Sequence, residues 1–445
     1  MIPFIPFPIA QVTPAPEVVQ IQEVRSLPGE LDRVPVFNSN SPELVLKPGI
    51  LLSTFPPAGK KVASAHLNYP LSGRFDIFAH HIAKAPAPED LRTLYLGVIL
   101  HNPGDKTLTV DVLQAASYLS QPDAPFIDLP AYLENPAGKI FAGPGDRVMN
   151  DILRGIRQSD FPAQIMIPPG ESRMLLNLPI PVSTLTPPVN GRSVLARLRS
   201  SDQVYVASLA MFAPLNDDGK ERSPTLTEWQ TLLENSDLAS PRDRLPTPPE
   251  QTSEKIIYGR VAGVAIGSQW QAQLTDALSN TLTIPSPGQA FSYPLSTVAG
   301  GTLGTNQIHS APLVVRYPDT AYRAHGNYGI QYSLTLPLIN PTATTQTVTV
   351  ALQTPIKTNS IAGGLRFFTE PAKQVFFRGT LQLRYRDDLG LPRTRYIHLV
   401  QRRGEMGEPL VILNIPAGDR RLVEIDFLYP PDASPPQVIT VKTIK

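Results

Sequence analysis

Prolines recur along the whole chain at about twice their ordinary frequency, at 49 of 445 positions. Because proline lacks a backbone donor and breaks helix interiors, so many of them disfavour a helical fold and favour short strands joined by rigid turns. A disordered chain is the rival explanation, but 42% of the residues are apolar and several segments repeat apolar residues with period two. The sequence therefore predicts an all-β fold with Pro-rich loops.

Charge and cysteine content exclude several classes of function. The 39 Lys and Arg against 38 Asp and Glu give a net charge of +1, which supplies no electrostatic attraction for nucleic acid. The absence of cysteine excludes disulfides, thiolate metal ligands and cysteine nucleophiles. The sequence contains no run of 18 apolar residues, so it predicts no membrane-spanning helix. No nucleotide-binding, zinc-protease or serine-hydrolase motif occurs, so we expect no cofactor and no metal.

Two motifs occur twice, in the same order. Residues 94–113 and 332–351 share the pattern N-P-x5-T-V-x-V, with Asn102 aligned on Asn340. The alternating residues before each Asn-Pro indicate a strand with one buried face, and the Asn-Pro pair indicates a turn into a return strand. Further on, IPPGESRM (167–174) and IPAGDRRL (415–422) share a Pro-Gly turn. These pairs predict a tandem duplication of a β-sandwich.

The composition divides the chain into predicted segments. Residues 1–30 form an apolar, Pro-rich tail that is either the remnant of an export signal or a stray apolar segment. Residues 31–239 form the first sandwich, with a long insertion at 117–160, and residues 256–445 form the second. Between them, residues 240–255 have the polar, Pro-rich composition of a semi-rigid linker.

One or two short helices are expected as additions to loops. Thr225 to Glu228 has the spacing of a capping box, followed by an apolar stripe that includes Trp229. Residues 146–153 form the second candidate, with Gly155 near its end.

Two segments, residues 76–81 and residues 317–328, hold the residues that could bind a partner. Tyrosines beside planar polar groups can stack on sugars or form protein interfaces, although they also cap sandwiches structurally. Along a strand Asp76 and His80 would lie about 13 Å apart, too far for one metal ion, and the histidines could simply lie on an edge strand. A weaker similarity of 78–81 to 323–326 would make His80 and His325 equivalent across a seam between domains. The candidate binding residues are Asp76, His80, His81, Tyr317, Tyr322, Arg323, His325 and Tyr328.

Several longer segments resemble an uncharacterised cyanobacterial family that is catalogued only as a domain of unknown function. They are NSNSPELV (38–45), GRFDIFAHHIAKAP (73–86), NGRSVLARLRS (190–200), YPDTAYRAHGNYGIQYSLTLP (317–337) and TRYIHLVQRRG (394–404). This resemblance implies a source and an envelope setting but no chemistry. The repeated hairpin and turn also resemble immunoglobulin-like sandwiches of bacterial surface proteins, which implies architecture only.

These patterns favour a non-enzymatic protein of the periplasm or cell surface, a scaffold that binds a protein or glycan of the cell envelope. The alternative is a polysaccharide hydrolase in which two carboxylates of the insertion meet in a cleft. A cytoplasmic assembly factor is a third hypothesis. The sequence gives neither the ligand nor the oligomeric state. The carboxylates considered for this role include Asp123, Asp128, Glu134, Asp146 and Asp151.

Overall fold

The computed structural model describes residues 15–85, 87, 89–251, 255–361 and 363–445. Residues 1–14 of the expected tail and 252–254 of the expected linker lie outside this part. The first half of the chain forms thirteen described strands: β1 (Glu17–Ile21), β2 (Glu23–Val24), β3 (Glu30–Leu31), β4 (Pro35–Ser39), β5 (Leu44–Val45), β6 (Gly49–Ser53), β7 (Leu71–Lys84), β8 (Leu94–His101), β9 (Leu108–Leu119), β10 (Tyr132–Glu134), β11 (Gln164–Ile167), β12 (Ser172–Ile180) and β13 (Val189–Phe212).

The second half is also built from strands: β14 (Ala262–Ile266), β15 (Gln269–Gln273), β16 (Leu282–Thr283), β17 (Ala290–Leu295), β18 (Ala311–Arg316), β19 (Arg323–Ala324), β20 (Gln331–Ile339), β21 (Gln346–Gln353), β22 (Gly364–Phe368), β23 (Val375–Arg386), β24 (Pro392–Arg402), β25 (Pro409–Ile415), β26 (Arg420–Leu428) and β27 (Gln437–Thr443). The described helices are α1 (Pro144–Leu153), α2 (Leu226–Asn235) and a 3₁₀ turn (Ala63–Ala65). The predicted all-β class is confirmed.

The long strand β13 organises the first half. Its first part pairs with β7 and β9, and its last part pairs with β8 and β6. The register shifts between these parts, after Ser200, and such irregularities let a strand bend from one sheet layer into another. Apolar side chains from both parts and their partners, such as Phe75, Val98, Val110 and Leu198, share one core.

Two sheets enclose the core of the second half. One runs in the order β10-β24-β23-β26-β20-β15-β3, and the other in the order β2-β17-β27-β21-β25. In β20 the expected alternation is present: Leu334, Leu336 and Leu338 are buried and their neighbours are half-buried. They share a core with residues of the other sheet such as Val350 and Val441, so this half is sandwich-like.

The expected one-sided burial is wrong for β8, whose residues are buried on both faces. Helix α2 covers the second face: a Cβ on Gly97 would lie 2.7 Å from the Trp229 ring. The predicted capping box of this helix is confirmed, because the Thr225 side chain accepts from the Glu228 amide and the Glu228 carboxylate accepts from the Thr225 amide. The other predicted helix is present as α1.

The two Asn-Pro corners have the same hydrogen bonds. Asn102 Nδ2 donates to the carbonyl four residues on, at 2.7 Å, and to the Ile167 carbonyl at 2.9 Å. Asn340 Nδ2 donates to the carbonyl four residues on and to the Ile415 carbonyl, both at 2.8 Å. Each asparagine therefore ties its hairpin to the Pro-Gly turn of the second motif. The local structures agree, and the duplication that would explain them remains a prediction.

Strand pairing crosses the predicted domain boundary. β4 of the first half lies between β7 and β14, while β2, β3 and β10 join sheets that belong mainly to the second half. Helix α1 contacts β9 and β13 on one side and β23 and β26 on the other. The expected linker is anchored too, since Arg242 pairs with Asp319. The boundary itself stays a prediction, but the two halves share sheets.

The weaker similarity between residues 78–81 and 323–326 does not correspond to matching strands. Residues 78–81 lie inside the long strand β7, which pairs with the first part of β13. Residues 323–324 instead form β19, a short partner of β18. His80 and His325 are therefore not structural equivalents.

Candidate functional site

Strand β4 brings two asparagines to the place where the two halves meet. In the sheet, Asn38 lies between Phe78 of β7 and Gly263 of β14. Asn40 follows two positions later, so both side chains leave the strand on the same face. The Asn40 amide is held by the Val261 carbonyl at 2.8 Å.

A cleft with two lobes opens beside these residues. The first lobe has a volume of about 440 Å³ and is lined by both asparagines. The second lobe has a volume of about 580 Å³ and extends toward α1. Arg260, Tyr328, Ala433 and Ser434 line both lobes and mark their junction. Clefts of this size are typical of small-ligand sites.

The side-chain carboxamides of Asn38 and Asn40, unlike their backbone amides, make no hydrogen bond to any residue that the structure describes. Asn38 is 4% exposed and Asn40 3% exposed, and the Oδ1 atom of each is buried without a partner. Asn327, in the same lobe, donates to the Tyr332 hydroxyl, but its Oδ1 is also buried and unpartnered. Because buried amides in folded proteins are almost always hydrogen-bonded, this concentration is unusual. The first lobe therefore contains three buried carboxamide oxygens with unused hydrogen-bonding capacity.

Aromatic rings form walls of the first lobe. The Tyr258 and His325 rings lie 4.7 Å apart between centroids. Tyr328 packs against Phe78 at 6.3 Å, and its hydroxyl donates to the Ala433 carbonyl at 3.3 Å. These contacts hold the rings in place, which gives the lobe rigid apolar faces beside its amides.

Two cations, Arg260 and Lys357, line the first lobe. No carboxylate is among its described lining residues. Arg260 forms an ion pair with Glu43, whose pKa is raised by burial in spite of Arg260. Lys357 Nζ instead donates to the Tyr258 hydroxyl, and burial lowers the pKa of this ammonium. Burial, followed by the charges of Arg323 and Lys357, lowers the pKa of His325 to about 4, so His325 is neutral at pH 7.

The second lobe is acidic. It is lined by Glu43, Asp146 and Asp432, together with His80. Burial raises the pKa of Asp432 to about 6, although Arg378 Nη1 lies 2.6 Å from its carboxylate. His80 Nδ1 lies 2.8 Å from the Ser193 hydroxyl, and burial lowers the pKa of this imidazole to about 3.

Three of the eight candidate binding residues line the cleft. His80 lies in the second lobe, His325 in the first, and Tyr328 at their junction. The others have structural contacts elsewhere. Asp76 is buried beside Arg74 and Arg197. His81 is buried between the Ser39 hydroxyl, at 2.9 Å, and the Pro42 carbonyl, at 2.8 Å.

The remaining three candidates lie around β18 and β19, outside the cleft lining. Tyr317 is fully buried, and its hydroxyl donates to the Ala65 carbonyl at 2.8 Å, which joins the two halves. The Arg316 guanidinium covers the Tyr322 ring at 3.7 Å. Arg323 donates to the Ser310 carbonyl at 3.2 Å. Their polar atoms stabilise local structure.

The insertion has a sixth carboxylate, the exposed Asp160, and of all six only Asp146 lines the cleft. Its Oδ2 accepts from the Ala142 amide and lies 2.7 Å from His398 Nε2, and both side chains are fully buried. The others are dispersed: Asp128 is exposed, Asp123 accepts from the Leu119 amide, Glu134 pairs with Arg395, and Asp151 accepts from the Tyr118 hydroxyl. The predicted pair of carboxylates within the insertion is therefore not present in the cleft.

Sequence reasoning missed most of the cleft. Asn38, Asn40, Tyr258, Arg260 and Lys357 come from separate segments that no motif connects. One signal was available, namely two asparagines at alternate positions, Asn38 within β4 and Asn40 just after its last residue, that follow the apolar Val36 and Phe37. Polar residues on the buried face of a strand indicate either a structural network or a site.

The described residues contain neither a metal-binding cluster nor a membrane-spanning helix. Across residues 15–85, 87, 89–251, 255–361 and 363–445, no group of three or more His, Asp or Glu side chains has the arrangement of a metal site. In the same part of the chain, no helix has the length and apolar character needed to cross a membrane.

The fold and cleft define an all-β, sandwich-like protein with a polar and aromatic cleft between its halves. The chain belongs to the family described as "Protein of unknown function (DUF3370)", whose model matches residues 22–443. No curated protein sequence matches it. Among solved structures, procruciferin, an 11S globulin from Brassica napus, aligns over 90% of this chain and 85% of its own at 8% identity, with a TM-score of 0.09. A score this low carries no argument about fold or function.

Proposed function

We propose that this protein is a non-enzymatic binding protein of the cell envelope that holds a glycan in the cleft. The observation that carries the proposal is the pair of Asn38 and Asn40 amides, which are almost fully buried and lack partners among the described residues. An unpaired buried amide costs roughly 1–3 kcal/mol of stability. A ligand that pairs with these amides would offset that cost.

A sugar matches the chemistry of the first lobe. Each carboxamide can both donate and accept, which suits neighbouring hydroxyl groups. The rings of Tyr258 and Tyr328 offer apolar surfaces for the C–H face of a sugar ring. A protein partner of the envelope is the other ligand class, and a concave, amide-lined lobe favours the smaller polar ligand.

Export to the periplasm or cell surface is part of this proposal. It is supported by the apolar start of the sequence and by the resemblance to sandwiches of bacterial surface proteins. Cell fractionation of the native protein, with sequencing of its mature N-terminus, tests this part. Recovery of an intact Met1 in the cytoplasmic fraction would contradict it.

Polysaccharide hydrolysis is a second candidate, favoured by one observation in the second lobe. Asp432, with a pKa of about 6, and Glu43, whose pKa is also raised, line it together, and glycosidases use a pair of carboxyl groups in which the general acid has a raised pKa. Release of reducing ends from envelope polysaccharide, abolished by Asp432→Asn, would establish this activity. Intact polysaccharide after prolonged incubation would leave binding as the function.

Substitution of the two amides tests the binding proposal. Leucine has nearly the shape of asparagine without its polar atoms, so Asn38→Leu and Asn40→Leu should weaken binding to a panel of envelope oligosaccharides at least tenfold. The same substitutions should keep or raise the melting temperature, because they remove unpaired buried amides. Asn235→Ala, at an exposed helix end, is the matched control.

Two results would contradict the proposal. One is a panel in which no oligosaccharide binds the wild-type protein. The other is binding that persists unchanged in the leucine variants. A lower melting temperature with unchanged binding would assign the asparagines a structural role.

A further inference from the structure

We infer that the first lobe takes an anionic sugar, one whose ring carries a carboxylate or a sulfate ester, with the anionic group beside Lys357 and the ring hydroxyls on Asn38 and Asn40. This inference rests on the proposed function, since it names the class of glycan that the cleft would hold.

Lys357 is the first part of the case. It is half-buried in the lobe, and its only ion or hydrogen-bond contacts among the described residues are with Tyr258. Its ammonium lies 4.5 Å from the centre of the Tyr258 ring and also donates to the hydroxyl of that tyrosine. A half-buried cation without an anion is costly, and an anionic ligand would remove that cost.

The other charges direct an anion to the same lobe. Arg260, the second cation of the lobe, is already neutralised by Glu43. Among the described residues, no carboxylate lines the first lobe, whereas Glu43, Asp146 and Asp432 line the second. An anionic group is therefore attracted to the Lys357 side of the cleft and repelled from the other lobe.

The remaining lining residues distinguish a sugar from a small inorganic anion. Phosphate or sulfate alone would pair with Lys357 but would leave the Asn38 and Asn40 amides unpartnered. A sugar ring supplies hydroxyls for these amides and an apolar face for Tyr328 in the same molecule. The lobe volume of about 440 Å³ is sufficient for such a ligand.

The test compares matched oligosaccharides by titration calorimetry on the full-length protein. The probes are galacturonic acid oligomers, sulfated galactose oligomers and neutral galactose oligomers of the same length. We expect at least one anionic series to bind about tenfold or more tightly than the neutral one, because hydrogen bonds to charged groups are stronger. Which anionic series binds identifies the group. Inorganic sulfate, which can pair with Lys357 alone, should compete only weakly.

Lys357→Met keeps the methylene stem that packs beside Gly301 and removes the charge. It should abolish the preference for anionic over neutral oligomers, while Lys357→Arg should retain it. Lys442→Met, at an exposed position of β27, controls for net charge. If Lys357→Met does not fold, the wild-type preference should still decrease as the salt concentration rises.

The outcomes separate the inference from the function on which it rests. Neutral oligomers that bind the wild-type protein as tightly as anionic ones would overturn the inference and leave the glycan-binding proposal intact. Failure of every oligomer to bind would overturn both.

Discussion

At the scale of single residues, buried polar groups in this protein fall into two kinds. Most are paired: His81, for example, donates from Nδ1 to the Pro42 carbonyl and accepts at Nε2 from the Ser39 hydroxyl. Asn38 and Asn40 belong to the smaller group whose buried side-chain atoms lack a partner among the described residues, and with Asn327 they lie together in the first lobe. The paired His81 therefore stabilises the fold, whereas the unpaired Asn38 and Asn40 side chains are the proposed ligand contacts.

Burial also makes His81 a determinant of acid stability. Its pKa is lowered to about 4 from an ordinary value of 6.5, mainly by burial. As the pH falls, His81 is therefore protonated in the unfolded chain at a higher pH than in the folded protein. The stabilising contribution is complete above pH 6.5 and is lost as the pH falls toward 4. By pH 5, His81 alone should lower the free energy of unfolding by about 2 kcal/mol.

Denaturant unfolding at pH 7.5 and pH 5 measures this effect. His81→Gln should reduce the loss of stability between the two pH values by about 2 kcal/mol, whatever its effect at pH 7.5. An equal loss in the variant and in the wild-type protein would show that His81 is protonated in the folded state.

At the scale of elements, the repeated Asn-Pro corners carry the clearest link from sequence to structure. Asn102 and Asn340 are both buried, and each donates to the carbonyl four residues on and to an isoleucine carbonyl before the Pro-Gly turn, while Asn340 also donates to the Pro416 carbonyl at 3.1 Å. Each Oδ1 also accepts a backbone amide two residues on, at 2.9 Å from Gly104 and 3.0 Å from Thr342. The side chain thus shapes its turn and joins it to a neighbouring hairpin.

Alanine at either corner should therefore be equally harmful. Asn102→Ala and Asn340→Ala each remove at least the three hydrogen bonds that the corners share and leave carbonyls unpaired, at a cost of about 2–3 kcal/mol. Chemical denaturation of each variant, with Asn235→Ala as the exposed control, gives the comparison. A large loss at one corner and none at the other would show that the two corners are not equivalent, and would weaken the predicted duplication.

At the scale of the whole molecule, the two halves depend on each other. The core of the second half includes side chains from the first: Leu27, Val36, Phe78, Ala116, Val148, Met149, Ile152 and Leu195. The strand β4 joins β7 to β14, and the cleft opens where these parts meet. The same interlocking that creates the cleft should prevent either half from being stable alone.

Calorimetry of the full chain should show one cooperative unfolding transition, because a break in either half exposes core shared with the other. A fragment of residues 256–445 should be largely unfolded when expressed alone. Two separate transitions, or a folded fragment, would instead support the independent sandwiches that the sequence suggested.

The features that could be predicted from the sequence are those that depend on patterns of neighbouring residues. The all-β class follows from prolines and alternating strands, and the α2 capping box follows from Thr225 and Glu228, which are three residues apart. The cleft could not be predicted, because Asn38, Tyr258 and Lys357 are far apart in the chain. They meet only because β4 inserts between strands of the two halves, and no local pattern encodes that pairing.

The central claim is that the cleft holds a glycan, and amide hydrogen exchange measured by mass spectrometry tests it most directly. With the tightest-binding oligosaccharide of the panel at saturation, exchange should slow in residues 36–43, 256–261, 324–329 and 430–435, which surround the cleft. Protection confined to β15 and β20, or no protection at saturation, would contradict the claim.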